Sequence, residues 1–73
     1  MEIYKNLGSN SNVLGFELGA EYIKVWFKGG KRSYTYSYFG KAGQTHVENM
    51  KSLALKGVGL NGYIRRNVNN SYD

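Results

Sequence analysis

The sequence predicts an α+β domain in which a three-stranded antiparallel β-meander packs against one or two C-terminal helices. Three observations predict it. Residues 13–38 alternate apolar and polar side chains and are broken only at Gly19-Ala20 and Gly29-Gly30. Beyond residue 45 the apolar spacing changes to three and four, the period of a helix. At 73 residues with no cysteine, the chain has room for one core and no disulfide or thiolate metal site to staple it.

Residues 1–10 read as a polar N-terminal extension, and Ser9 to Asn12 form a loop signal. A first strand over 13–18 connects through Gly19-Ala20 to a second over 21–28. Gly29-Gly30 supplies the positive φ angles that a tight turn requires, and a third strand follows over 31–38. A two-residue turn there sets Phe27 opposite Arg32, Val25 opposite Tyr34 and Ile23 opposite Tyr36 on one face, which becomes the core side. The other face carries Tyr22, Lys24, Trp26 and Lys28, opposite Ser37, Thr35, Ser33 and Lys31.

After the loop at 40–43, Thr45 and Glu48 fit a capping box for a helix over about 46–55, with Val47, Met50, Leu53 and Ala54 as its apolar stripe. Gly57 is placed to end that helix. A second helical turn over 60–66 points Leu60 and Ile64 inward and ends in Arg65-Arg66. The domain spans 11–67, and 68–73 is a polar tail.

Ten basic residues oppose five acidic ones, a formal charge of +5. Nine of the ten lie from Lys24 onward, where only Glu48 and Asp73 oppose them, so a positive field is expected over the later part of the chain. Neither a signal peptide nor a transmembrane run is visible, which leads to the expectation of a cytoplasmic protein with no membrane partner (host cytoplasm if viral).

No catalytic constellation is visible. His46 is the only histidine and reads as a solvated residue in the first helical turn, without a carboxylate pair beside it. Gly57, Gly59 and Gly62 have the spacing of a phosphate loop, but they follow a helix and lack the Gly-Lys-Ser/Thr ending. The plainer reading is a tight helix–helix connection. Neither catalytic residues, nor a metal site, nor a cofactor is expected.

Binding chemistry is better represented. Phosphates call for Lys or Arg, and bases call for flat partners and hydrogen-bonding groups. Lys24, Lys28 and Lys31 stand beside Trp26 and Tyr22 on the outer hairpin face, while Arg65 and Arg66 offer planar forks suited to phosphate. Trp26 and Tyr22 serve either base stacking or a subunit interface. The plainer reading makes the lysines solvated decoration, has Asn61 cap the last helix, and pairs Arg65 with Glu48.

Several of these stretches, taken in order, resemble the KTSC domain. They are Ser11-Asn12-Val13, Gly15-Phe16-Glu17, the strand at 23–27, Tyr34-Thr35-Tyr36 with Phe39-Gly40, Leu53-Ala54, Lys56-Gly57, Leu60-Asn61 and Ile64-Arg65. The resemblance covers 11–66 and departs where that family carries Val-Pro before the helix, since this chain has no proline; Leu55 and Gly59 also differ from its pattern. It implies a small stand-alone bacterial or viral protein, or an appendage like that of some lysyl-tRNA synthetases, with RNA binding suggested. Asn61 and Arg65 recur in the family pattern and rank first as site residues.

Together these readings lead to the expectation of a non-enzymatic nucleotide-binding module, conceivable as a homo-oligomeric sponge that sequesters a cyclic nucleotide signal. An RNA- or tRNA-binding module and a protein-interaction module without a nucleotide are the alternatives left open.

Overall fold

A computed structural model describes residues 1–73. Strands β1 (Glu2–Ile3), β2 (Val13–Leu18), β3 (Tyr22–Phe27) and β4 (Ser33–Ser37) form one antiparallel sheet in chain order. Helix α1 (Gly43–Lys56) and the short α2 (Leu60–Tyr63) follow, and α2 runs into a π-helical turn over Ile64–Val68. The architecture is α+β as expected, with four strands rather than three. The additional strand comes from the N-terminal stretch, where Glu2 and Ile3 pair with Phe16 and Gly15. Tyr4 anchors that stretch: it is 4% exposed, its N–H donates to the Leu14 carbonyl (3.0 Å), and its hydroxyl accepts the Leu60 N–H (3.2 Å).

The β3–β4 register is the expected one, with Ile23 opposite Tyr36, Val25 opposite Tyr34 and Trp26 opposite Ser33. The turn itself sits one residue earlier than Gly29-Gly30. The Gly30 N–H closes onto the Phe27 carbonyl (3.1 Å), so Lys28 and Gly29 are the central pair. Gly29 alone has positive φ (76°), the requirement of a type II turn at its third residue. Between β2 and β3, Gly19 still pairs with Tyr22 through a 3.0 Å bond, which shifts the connection to Ala20-Glu21. Gly19 is needed for a different reason, because a Cβ there would overlap the Tyr22 ring. Lying over Gly19, Tyr22 donates its hydroxyl to Glu17 (2.7 Å).

The helical layer covers one face of the sheet. Val47, Met50 and Ala54 of α1, followed by Leu60, Ile64 and Val68, meet Val13, Phe16, Ile23, Val25 and Tyr36 in a single core. The capping box does not form. Helix α1 starts at Gly43 without a side-chain cap, while Glu48 accepts the Tyr38 hydroxyl and pairs with Lys51 at 3.0 Å. Gly57 ends the helix as expected, at φ 78° with its N–H shared between the Leu53 and Ala54 carbonyls.

The terminal stretch 68–73 is docked rather than trailing. Val68 is 1% exposed, and the Tyr72 ring packs edge-on against Tyr34 (4.8 Å) and Tyr36 (6.5 Å). The Asp73 N–H donates to the Thr35 carbonyl (2.7 Å), and its carboxylate accepts the Ser37 N–H (3.4 Å). The segment thereby covers the edge of β4, which would otherwise offer unpaired backbone groups.

Two outcomes are expected. Tyr72→Ala removes two edge-to-face contacts, each worth about 0.5–1.5 kcal/mol. Thermal unfolding should show a melting temperature lower by about 4–8 °C for each kcal/mol lost. The second concerns Tyr36. Burial, and then the charges that Tyr34 and Tyr72 acquire on ionising, push its hydroxyl from 10.0 up to about 12. A raised folded-state value means that this stabilisation is complete below pH 10 and is lost as the pH rises through about 12. One proton limits the slope to about 1.4 kcal/mol per pH unit. Melting curves of Tyr36→Phe should therefore fall less steeply than those of the native protein between pH 10 and about 12.

Candidate functional site

The inner face of the sheet is less completely covered toward the β3–β4 turn. Ile23, Val25 and Tyr36 are 0–1% exposed, but Phe27 and Tyr34, at the turn end of the same face, are only half-buried. Beside them opens a cleft of about 580 Å³. The hairpin contributes Phe27, Lys28, Gly29 and Gly30, and β4 contributes Tyr34 and Tyr36. Asn61, Ile64 and Arg65 come from the helical turn, Asn69, Asn70 and Tyr72 from the docked terminal segment, and Asn12 from the loop before β2.

Each side chain arrives there for a local reason. Lys28 occupies the second position of the tight turn, which forces it out of the ladder. Arg65 follows the buried Ile64 and is therefore rotated out of the core into solvent. Tyr72 meets Tyr34, and Phe27 packs edge-on to the same ring at 5.7 Å. Arg32 lies above this aromatic group, its guanidinium carbon 4.8 Å from the Tyr34 ring and 5.9 Å from the Tyr72 ring.

Electrostatically the cleft is one-sided, since Lys28 and Arg65 line it and no Asp or Glu does. The one ion pair of the protein, Lys51–Glu48, lies on α1, so Arg65 does not pair with Glu48. The four asparagines each bring a carbonyl acceptor and an amide donor. Tyr36 remains protonated until about pH 12. This set can hold an anion, stack a flat ring and read hydrogen-bonding edges.

Of the residues expected at a site, the cleft brings together Lys28, Asn61 and Arg65. Asn61 does not cap α2, whose N-cap is Gly59 without a side-chain bond. Lys31 is exposed in the hairpin loop outside the lining, and Arg66 lies back over Gly62, with Nη1 2.8 Å from where a Cβ would stand. Tyr22, Lys24 and Trp26 are half-buried on the opposite face of the sheet. There Tyr22 is tied to Glu17, and that bond raises its hydroxyl pKa.

Other expectations resolve locally. His46 is half-buried rather than solvated, with Nδ1 2.6 Å from the Tyr63 hydroxyl, which also accepts the Asn49 amide (3.0 Å). The glycine run is a helix–helix connection, with Gly57 and Gly59 both at positive φ and none of its glycines in the cleft. No three His, Cys, Asp or Glu side chains come together as a metal-binding group. No helix is long and apolar enough to cross a membrane. A second hollow of about 400 Å³ is lined by Met1, Glu2, Phe16, Glu17 and Leu18; its two carboxylates disfavour an anion.

Sequence reasoning missed Arg32, Tyr72, Asn69 and Asn70 as neighbours of the site. The hairpin register did carry a signal for Arg32, since it set that residue opposite Phe27 on the inner face. The terminal asparagines carried none, because a polar run reads alike whether docked or solvated. No protein-family model, no curated protein and no solved structure matches the chain.

Proposed function

We propose that this protein is a nucleotide-binding module that holds its ligand in the cleft without transforming it. One observation carries the reading. A single cavity gathers two cations, aromatic faces and four asparagines, with no carboxylate among them. Lys28 and Arg65 answer a phosphate; Phe27, Tyr34 and Tyr72 answer the flat face of a base, and the amides its edges. Asn61 and Arg65, two positions at which the chain resembles the KTSC domain, both line it. A localised cleft favours a small nucleotide over an extended RNA track, because Lys24 lies on the other side of the sheet. Binding without turnover suits a stoichiometric sequestering role, with a cyclic nucleotide as one ligand to be tried.

The test is calorimetric titration with small nucleotides and with single-stranded oligonucleotides, at matched salt. Loss of a charge-assisted contact should make Arg65→Ala bind about ten-fold or more weakly. Lys28→Ala should follow it, whereas Trp26→Ala should bind as the native protein does. A Trp26→Ala defect with intact Arg65→Ala binding would move the site to the outer face. Binding of oligonucleotides alone would replace this reading with the RNA one. Size-exclusion mass of the same samples reports whether the unit is a homo-oligomer.

A further inference from the structure

Arg32 has no carboxylate partner, although it is exposed and lies over two rings that line the cleft. What holds it is the pair of rings beneath, Tyr34 at 4.8 Å and Tyr72 at 5.9 Å, and both rings line the cleft. Attraction to a ring face takes up none of the guanidinium's N–H donors in a hydrogen bond to an acceptor side chain. Arg32 is thus a pre-positioned fork whose donors have no acceptor side chain in the protein.

Its location relative to the other cations matters. Lys28 and Arg32 both lie in the connection between β3 and β4, and Arg65 belongs to the helical turn. Positive groups therefore reach the cleft from two separate elements. A single phosphate seated at Lys28 and Arg65, the two cations of the lining, leaves the Arg32 donors without an acceptor, whereas a chain of phosphates, or phosphates at two positions, offers them one. Resting on the nucleotide reading, we propose that the cleft takes a ligand carrying more than one phosphate group and that Arg32 is the residue that sets this preference.

The experiment is calorimetry at fixed ionic strength with the 5′-mono-, di- and triphosphates of adenosine, guanosine, cytidine and uridine, and with inorganic tripolyphosphate. It compares native protein, Arg32→Ala and Arg32→Lys, each checked for an unchanged circular dichroism spectrum. Native protein should bind the triphosphate of its preferred base about ten-fold or more tightly than the monophosphate. In Arg32→Ala that ratio should fall to about three-fold or less, with monophosphate affinity within about two-fold of native. Arg32→Lys, which keeps the charge but not the planar fork, should fall between the two. Equal native affinity for mono- and triphosphates overturns the inference while leaving the nucleotide reading in place. So does an Arg32→Ala loss of the same factor for every ligand. Tripolyphosphate binding as tight as any triphosphate, and dependent on Arg32, leaves the polyphosphate preference standing and removes the nucleoside from the reading. If no probe binds, both fall.

Discussion

The β3–β4 ladder is the constraint on which the rest of this structure depends. Its register sets Ile23, Val25 and Tyr36 on one side, and all three are fully buried. A slip of one residue would turn Lys24 and Trp26 inward and put the core side chains in water. Gly29 enforces the register, because the turn needs positive φ at that position and a glycine meets the need without strain. The cleft has the same origin. At the turn end of the ladder's inner face Phe27 and Tyr34, diagonal neighbours across the two strands, are half-buried aromatics beside a void.

Tyr34 then links folding to the candidate site. It touches Phe27, Tyr72 and Arg32, so one ring supports the hairpin end, the terminal segment and the rim of the cleft. A chain of this size buries only about 60% of its unfolded surface and usually needs reinforcement. Here the reinforcement comes from edge-on aromatic contacts and from both termini pairing with the sheet, through β1 on one edge and Asp73 on the other. The terminal segment therefore does two things at once, shielding the β4 edge and walling the cleft with Asn69, Asn70 and Tyr72.

What could be read from the amino-acid order was whatever periodicity and glycine geometry specify locally. The hairpin register, the Val47–Met50–Ala54 stripe and the Gly57 stop all belong to that class. Features set by distant partners could not be read. A two-residue strand has no period to recognise, so β1 is visible only once β2 is in place. The Thr45–Glu48 capping pattern gave way because Glu48 found the Tyr38 hydroxyl and Lys51, which lowers its pKa. Of the candidate site, Lys28 and Arg65 were expected from residue chemistry and Asn61 from the resemblance to the KTSC domain, whereas the choice between the two faces of the sheet waited on where the terminal segment folds.

That choice also changes how the net charge acts. The molecule spans 31 × 24 × 22 Å, and exposed charges at about 0.1 M salt are screened beyond about 10 Å. The formal +5 is therefore not a single field, and the charges nearest the cleft are Lys28 and Arg65 of its lining with Arg32 over two of its rings. No carboxylate stands among the lining residues, and several acids have partners elsewhere. Glu17 accepts from Tyr22, Glu48 from Tyr38 and Lys51, and Asp73 from the β4 backbone. Asp73 is the telling case, since it belongs to the segment that walls the cleft. Its carboxylate occupies the space left open by Gly40, where a Cβ would overlap it, and it is not part of the cleft lining. The small residue at 40 thereby makes room for the Asp73 carboxylate beside Ser37, and neither residue belongs to the cleft lining.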